Sequence, residues 1–272
     1  MNLFHVMKES FSLLLKKPKI FIPNLFASLL YAVVELIMIK IAFESIGIIQ
    51  DPTIYSPMEE LQSGLFIFLG ILAFFPVIGA IDLITYSMYP ALVADYHKGE
   101  SVSLWKALKD AFSAWRVWLT LGVIFLLFSV FVLLMLGIFA VLTFLLNSLI
   151  YLLIGAVLFI LLVILFMMAV FFVIPVGVIE KTGILESFRK SYRLGFRHRS
   201  EVIFLNVFIL LVIIAAFALG NISGAEKLGA GITFLAIALF LLIKIIQSLM
   251  YTYICVVNPY FYVRVARLKT FE

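Results

Sequence analysis

Residues 117–179 read VWLTLGVIFLLFSVFVLLMLGIFAVLTFLLNSLIYLLIGAVLFILLVILFMMAVFFVIPVGVI, and this run of 63 residues contains no Asp, Glu, Lys or Arg. A single α-helix of that length would extend about 95 Å, at about 1.5 Å per residue. The hydrocarbon core of a bilayer is only about 30 Å thick. The run therefore predicts two membrane-spanning helices, and the polar pair Asn147-Ser148 marks the turn between them.

The composition of the 272 residues extends this prediction to the whole chain. Hydrophobic residues make up 65% and charged residues 13%, with a mean hydropathy of +1.23. Soluble domains are about half apolar and about a quarter charged. We therefore predict an all-α polytopic membrane protein. Its apolar runs place six transmembrane helices near 20–46, 64–94, 117–146, 149–179, 201–221 and 229–258.

Basic residues lie almost entirely on one side of these predicted spans. Seventeen of the twenty Lys and Arg residues fall within the segments 1–19, 95–116, 180–200 and 263–272. The segment 47–63, on the other side, has three acidic residues and no basic one. Loops rich in Lys and Arg stay in the cytoplasm. We therefore predict a multi-pass protein of the cell membrane with both termini cytoplasmic, and no nucleic-acid partner.

Three stretches ahead of the first, third and fifth spans align without gaps: LFHVMKESF (3–11), LWKALKDAF (104–112) and ILESFRKSY (184–192). Apolar residues recur at their first, fifth and ninth positions, a basic residue at the sixth and a small residue at the eighth. Apolar side chains at helical spacing, with charges on the opposite face, are typical of a helix that lies in the membrane interface. We predict three such amphipathic helices on the cytoplasmic side.

Each pair of spans also ends with a proline followed by polar or charged residues. These segments are PALVADY from Pro90, PVGVIEK from Pro175 and PYFYVRV from Pro259. The chain is therefore predicted to be a single membrane domain, 1–272, built from three parallel repeats. The predicted repeats are 1–94, 101–179 and 181–262, and the C-terminal tail is 263–272. The alternative is that the three amphipathic helices resemble one another without being repeats.

The region around the third stretch, PVGVIEKTGILESFRKSYRLGFRHRSEVIFL at 175–205, resembles a motif of uncharacterised polytopic membrane proteins. These proteins are grouped with the membrane domain found beside glycerophosphodiester phosphodiesterases. The shared features are Pro175, Glu180, Gly183 and the run Glu186-Ser187-Phe188-Arg189-Lys190-Ser191-Tyr192. In the enzyme fusions the chemistry belongs to a separate soluble domain. The resemblance therefore implies a membrane module and supplies no catalytic residues.

Charged residues inside the spans point to a functional site, because each costs about 2.5–3.5 kcal/mol at the bilayer centre. Lys40 and Glu44 lie near the outer end of the first span, where we expect them to act as interfacial anchors. Glu35, Asp82 and Lys244 lie deeper. Each shares a helical face with other polar residues, namely Ser28 and Tyr31 with Glu35, Thr85, Tyr86 and Tyr89 with Asp82, and Gln247, Ser248 and Tyr251 with Lys244.

If these faces converge, they form a polar pocket within the membrane in which Lys244 pairs with Asp82 or Glu35. The predicted pocket residues are Glu35, Asp82, Lys244, Tyr31, Tyr86, Gln247 and Tyr251. The alternative is a buried ion pair that only fixes helix packing.

The exposed faces of the amphipathic helices predict contacts with anionic lipid head groups, since each basic residue near a membrane surface contributes about 1 kcal/mol to such binding. The predicted head-group residues are Lys109, Arg116, Arg189, Lys190, Arg193 and Arg197.

Motifs for catalysis, nucleotide binding and metal binding are absent: the chain has no GxxxxGK[ST], HExxH, GxSxG or CxxC. The three histidines are not at ligand spacing, and Cys255 is the single cysteine, which excludes a disulfide within the chain. We therefore expect no catalytic residues, no metal site and no cofactor.

Three hypotheses about function follow. The first is a non-enzymatic membrane protein that binds or translocates a lipid-like or small amphiphilic ligand in the polar pocket. The second is a membrane scaffold that recruits anionic lipid or a cytoplasmic partner through its basic amphipathic helices. The third is an intramembrane enzyme, which the lack of a catalytic constellation disfavours.

Overall fold

The computed structural model describes residues 3–50, 57–222 and 234–267, and the side chains of 3–37, 77–220 and 237–266. Every regular element in these ranges is a helix. The helices are α1 (Leu3–Lys16), α2 (Ile22–Gln50), α3 (Pro57–His97), α4 (Leu104–Ser113), α5 (Trp115–Leu145), α6 (Ile150–Val170), α7 (Val173–Ile179), α8 (Ile184–Arg197), α9 (Arg199–Ile222) and α10 (Phe234–Arg267), with a 3₁₀ turn at Pro18–Phe21.

Six helical segments of these ranges are long and apolar enough to cross a membrane. They are Pro18–Ile37, Val77–His97, Trp115–Leu145, Ile150–Ile179, Arg199–Gly220 and Ile237–Ala266. The prediction of an all-α multi-pass membrane protein is confirmed at this level. The predictions for Lys40, Glu44, the acidic side chains of 47–63 and the tail beyond 267 concern groups outside the described residues.

Two spans continue further than their predicted ends at 94 and 258. Helix α3 continues to His97, and α10 continues to Arg267 with Pro259 inside the helix. The last turns of α10 are packed within the protein, and Phe261 and Tyr262 are only 0% and 1% exposed. Tertiary packing therefore extends these helices past the point where the hydrophobic pattern weakens.

The fourth predicted span, 149–179, is broken between α6 and α7. The amide N–H of Phe172 donates to the Ser191 hydroxyl of α8 at 3.0 Å, instead of to a carbonyl of its own helix. The same hydroxyl donates to the carbonyl of Ala169 at 2.7 Å, and Asn258 of α10 donates to the carbonyl of Phe171 at 2.8 Å. A helix break inside a membrane leaves backbone N–H and C=O groups without hydrogen-bond partners. Ser191 and Asn258 stabilise the break because they supply those partners.

The amphipathic helices α1, α4 and α8 contact the spans through their smaller side chains. At the fourth and eighth positions of the aligned stretches, the six residues Val6, Ser10, Ala107, Ala111, Ser187 and Ser191 are at most 2% exposed. At the second and ninth positions, the six large residues Phe4, Phe11, Trp105, Phe112, Leu185 and Tyr192 are at least 50% exposed. The large apolar side chains therefore point away from the bundle.

On α8 the side that contacts the bundle is made of small residues. Ser187, Ser191 and Gly195 are the buried residues of this helix. Small side chains allow two helix backbones to approach closely, and the backbone of α8 approaches the end of α6 at Gly195.

The six spans close into a ring in chain order. Contacts join α2 to α3, α3 to α5, α5 to α6, α6 to α9, α9 to α10 and α10 back to α2. Within the ring α3, α7 and α10 contact one another. Large buried side chains such as Tyr89, Phe172 and Phe261, all 0% exposed, form the core at this junction. Helix α1 packs on α10, α4 on α3, and α8 on α6 and α7.

Ion pairs attach the amphipathic helices to the spans. Glu180, which follows α7, accepts hydrogen bonds from Lys190 of α8 at 2.5 Å and from Tyr262 of α10. Asp95 at the end of α3 is 2.8 Å from the ammonium group of Lys106 in α4.

Glu9 ties α1 to the end of α10 in a similar way. Its carboxylate accepts hydrogen bonds from Arg264 at 2.5 Å and from Tyr260 at 2.8 Å. Burial raises the pKa of Glu9, but these hydrogen bonds and the charges of Arg264 and His5 outweigh the effect of burial and hold the pKa below its usual value. Glu9 is therefore charged at neutral pH, as the ion pair requires.

The contact at Gly195 generates the first prediction. A Cβ atom at this position would lie 2.0 Å from the carbonyl oxygen of Met168, which belongs to the backbone and cannot move aside freely. Gly195→Ala should therefore lower the free energy of unfolding by about 1–3 kcal/mol or more. The midpoint of thermal unfolding in a mild detergent measures this loss.

Gly137→Ala is the matched control, because no atom lies within 4 Å of the Cβ position of this other helical glycine. The control should unfold at or above the wild-type midpoint, since alanine favours a helix over glycine. Equal midpoints for the two variants would contradict the close approach of α8 to α6.

Candidate functional site

A cavity of about 820 Å³ lies between α2, α3, α9 and α10. Its lining residues are Asn24, Ala27, Ser28, Tyr31 and Glu35 of α2, Asp82 and Tyr86 of α3, Phe217 and Gly220 of α9, and Lys244, Gln247, Tyr251 and Cys255 of α10. All seven residues of the predicted pocket belong to this set. The structure therefore brings together the polar faces of the first, second and sixth spans, and it adds the fifth span as a wall.

The longest walls of the cavity are the polar faces of α2 and α10, which run antiparallel and in register. On α2 the face extends from Asn24 to Glu35, and on α10 from Lys244 to Cys255, so its ends are eleven positions apart in each case. Residues three, four and seven apart share one side of a helix, so each face runs about 16 Å along its helix. A contact joins the two faces at each end, which gives the cavity its length.

At one end of the cavity, the ammonium group of Lys244 forms an ion pair with the carboxylate of Glu35. The Lys244 side chain is 16% exposed and that of Glu35 is 39% exposed. The Lys244 nitrogen also lies 5.2 Å from the centroid of the Phe240 ring. Of the two partners that the sequence left open for Lys244, the structure places Glu35 against it.

Asp82 has a different partner, the hydroxyl of Tyr31. This hydroxyl donates to Oδ1 of Asp82 at 2.5 Å and lies 3.2 Å from the carbonyl of Ile78. The other carboxylate oxygen, Oδ2, has no hydrogen-bond partner among the described residues, and the side chain is exposed where it lines the cavity. The hydroxyl of Tyr251 likewise has no hydrogen-bond partner in the described part of the chain. Both groups can therefore bind a ligand.

At the opposite end of the cavity, the side-chain amide of Asn24 donates to the sulfur of Cys255 at 3.6 Å. Nearby, the amide of Asn258 donates to the hydroxyl of Tyr86 at 2.7 Å. The same amide donates to the carbonyl of Phe171. Asn258 thus connects the cavity wall to the break between α6 and α7.

Three residues of the predicted polar faces lie outside the cavity lining. Thr85, Tyr89 and Ser248 are 7%, 0% and 0% exposed and pack inside the bundle. The Tyr89 hydroxyl accepts a hydrogen bond from the backbone N–H of Asn24 at 3.3 Å and lies 3.5 Å from the Thr252 hydroxyl. These residues support the helices around the cavity without facing it.

Sequence reasoning missed five lining residues: Asn24, Ala27, Phe217, Gly220 and Cys255. Asn24 and Cys255 continue the polar faces by one or two turns, so their helical spacing was an available signal. Phe217 and Gly220 lie on α9, whose sequence carries no charge in this region. Only the packing of α9 against α10, where Gln247 donates to the carbonyl of Ala216 at 2.7 Å, identifies this wall.

The predicted head-group residues lie on or next to α4 and α8. Lys109, Arg116, Arg189, Arg193 and Arg197 are exposed, whereas Lys190 bonds to Glu180. The guanidinium group of Arg116 lies 5.5 Å from the ring centroid of Trp115. The other four exposed residues form no ion pair or hydrogen bond within the described ranges, so their charges face outward.

Within the part of the chain that the structure describes, no three His, Cys, Asp or Glu side chains form a group that could hold a metal ion. His5 lies 3.0 Å from Glu9, and His198 lies 3.9 Å from Glu201. Neither histidine lines the cavity.

Comparison with protein-family models, with curated proteins and with solved structures finds no match to this chain. The resemblance of 175–205 to the membrane-domain family therefore stays a prediction.

The ion pair in the cavity generates the second prediction. Lys244→Met leaves the Glu35 carboxylate without its partner within the membrane, and we expect a loss of up to about 3 kcal/mol in the free energy of unfolding. The double variant Glu35→Gln/Lys244→Met removes both charges and should regain most of that loss. Thermal unfolding of the wild type, both single variants and the double variant measures the coupling, and strictly additive losses would contradict a direct pair.

Proposed function

We propose that this protein is a non-enzymatic integral membrane protein that binds or translocates a small amphiphilic or lipid-like ligand in the cavity between α2, α3, α9 and α10. The observation that carries the proposal is the cavity itself, about 820 Å³ in volume and lined by charged and polar side chains of apolar helices. Protein interiors are close-packed and contain few voids larger than a water molecule. Cavities of about 300–1,000 Å³ are typical of small-molecule sites.

The chemistry of the lining supports an amphiphile. Glu35, Asp82 and Lys244 present charge, whereas Ala27 and Phe217 present apolar surface. The outer faces of the same helices are apolar, which would let a ligand reach the cavity from the bilayer. A molecule with a polar group and a hydrocarbon part matches both environments.

Unused polar capacity argues against a purely structural ion pair. An ion pair that only fixes helix packing needs no further polar groups around it. Lys244 and Glu35 already neutralise each other's charge. Asp82 and Tyr251 nevertheless present a carboxylate oxygen and a hydroxyl without partners among the described residues. Polar groups without partners are expected in a binding site, because a ligand can bond to them. In a protein that binds nothing there, leaving them unpaired would cost stability.

An intramembrane enzyme has less support. The described lining residues include no histidine, and one of their two carboxylates, Glu35, is already neutralised by Lys244. Paired carboxylate or nucleophile–base chemistry requires two reactive groups side by side. The cavity instead offers one carboxylate and several hydroxyl groups, which suits binding.

We further propose that the chain is a parallel threefold repeat, with α1, α4 and α8 in the cytoplasmic interface and both termini in the cytoplasm. Two observations support the repeat. The nine aligned positions of 3–11, 104–112 and 184–192 have the same sequence of exposed, intermediate and buried residues. Each amphipathic helix also packs on the second span of the unit that precedes it in the ring.

The ion pairs between these units support the repeat as well. One aligned position is the seventh residue of each amphipathic stretch, and the other lies five residues after the proline that ends each pair of spans. Glu9 and Arg264 occupy these positions in one pair, and Lys190 and Glu180 occupy them in another with the charges exchanged. In the remaining unit both positions are acidic, Asp95 and Asp110. Two lysines outside those positions then supply the positive charges, Lys106 to Asp95 at 2.8 Å and Lys181 to Asp110 at 3.2 Å.

A second candidate function is a scaffold that recruits anionic lipid or a cytoplasmic partner. The observation that favours it is the exposed set Arg189, Arg193 and Arg197 on α8, which has no acidic partner among the described residues. Reversing these three charges should remove anionic lipid from the purified protein under this hypothesis, and should leave the cavity ligand unchanged under the first.

The third prediction tests the cavity as a binding site. Ser28 lines the cavity, whereas its neighbour Leu29 is 41% exposed on the outer face of α2. Ser28→Trp should place a bulky indole ring inside the cavity and displace tightly bound small molecules, and Leu29→Trp should retain them. The measurement is native mass spectrometry of each variant after incubation with a polar lipid extract and exchange into a mild detergent.

Both variants must keep the elution volume and unfolding midpoint of the wild type, which shows that the fold is retained. If the wild type and Ser28→Trp carry the same bound molecules, or both carry none, the cavity is not the binding site.

A further inference from the structure

The charged groups of the cavity do not balance. Three of the described lining residues carry formal charge: Glu35, Asp82 and Lys244. Lys244 pairs with Glu35, so these two groups neutralise each other. Asp82 is left with one negative charge and no Lys, Arg or His partner within the described ranges. The described part of the cavity therefore has a net charge of −1.

The contacts of Asp82 do not compensate this charge. Tyr31 donates one neutral hydrogen bond to Oδ1, and Oδ2 remains available on the exposed side chain. A carboxylate inside a membrane span needs a cation, a proton or water to offset its transfer from bulk water. Since none of the described residues supplies a cation at Asp82, a bound ligand can supply it.

Three tyrosines line the same cavity as Asp82. Tyr31 bonds to Asp82 through its hydroxyl, and Tyr86 and Tyr251 are further lining residues of α3 and α10. Aromatic rings beside a carboxylate suit an organic ammonium group, because the ring faces attract a cation. A bare metal ion would instead need several oxygen ligands, and it would occupy a small part of about 820 Å³.

We infer that the ligand of this cavity is a cationic amphiphile, whose ammonium group binds at Asp82 among Tyr31, Tyr86 and Tyr251. The inference rests on the proposed function, since it names the chemical class of ligand for the same site. It also assigns separate roles to the two carboxylates: Glu35 holds Lys244, and Asp82 binds the ligand.

The test uses three probes of equal chain length: decyltrimethylammonium, decyl sulfate and decyl maltoside. Radiolabelled decyltrimethylammonium is titrated onto the protein in a polyoxyethylene detergent, and each unlabelled probe is then used as a competitor. The wild type should bind the cation saturably, and unlabelled cation should displace it at a concentration at least tenfold lower than decyl sulfate or decyl maltoside does.

Variants assign the preference to Asp82. Asp82→Asn keeps the size of the side chain and should weaken binding of the cation at least tenfold, whereas Asp82→Glu should restore it to within a few-fold of wild type. Glu186→Gln is the control for loss of one carboxylate, because Glu186 is exposed on α8 and forms no ion pair or hydrogen bond among the described residues. It should bind the probe as the wild type does.

The outcomes separate this inference from the proposed function. If decyl sulfate competes as well as the cation, the cationic class is wrong. If Asp82→Asn binds the cation unchanged, Asp82 does not hold the ammonium group. Either result overturns the inference, and loss of binding in Ser28→Trp would then still support a cavity for amphiphiles. If Ser28→Trp binds the probe as the wild type does, the proposed function fails with it. Displacement by Na⁺ more effectively than by tetramethylammonium, at equal ionic strength, would show a site for an inorganic cation and overturn the inference. Should Asp82→Asn fail to fold, the competition series on wild type decides.

Discussion

A charged side chain inside a bilayer must be paired or must face a polar cavity. The polar faces of α2 and α10 satisfy this requirement by pairing their charges with each other and by lining one cavity. Lys244 and Glu35 pair at one end of these faces, and Asn24 and Cys255 meet at the other. Since both pairs are eleven residues apart on antiparallel helices, they hold the first and last spans in a single register. That register closes the ring of six spans and leaves Asp82 of α3 beside the cavity, with no Lys, Arg or His partner among the described side chains.

The cavity is also connected to the amphipathic helix α8 through the break in the fourth span. Ser191 of α8 bonds to the backbone on both sides of the break, at Ala169 and Phe172. Asn258 bonds to the carbonyl of Phe171 and to the Tyr86 hydroxyl of the cavity wall. In a membrane these hydrogen bonds have no water to compete with them, so they position the break, α8 and Tyr86 relative to one another.

The amphipathic helices show how far periodicity alone can predict packing. Their helical spacing predicts the elements correctly, since α1, α4 and α8 cover the three aligned stretches. It does not predict their contact surface, because hydrophobicity ranks Leu185 and Tyr192 above Ser187 and Ser191. In the structure the serines face the protein and the large side chains are exposed, as expected where lipid surrounds the bundle and close backbone approach decides the contact.

The amino-acid sequence is enough to predict the all-α membrane class, the six apolar helices and the polar faces that carry Glu35, Asp82 and Lys244. These properties follow from local patterns, namely the length of uncharged runs and the 3.6-residue period of a helix. The three-dimensional structure is needed to see that Lys244 pairs with Glu35 and Asp82 bonds to Tyr31. It is also needed to see that α9, uncharged where it lines the cavity, forms a wall and that the fourth span breaks where Ser191 bonds to it. Each of these depends on contacts between residues from about twenty to more than two hundred positions apart, which helix period and composition do not encode.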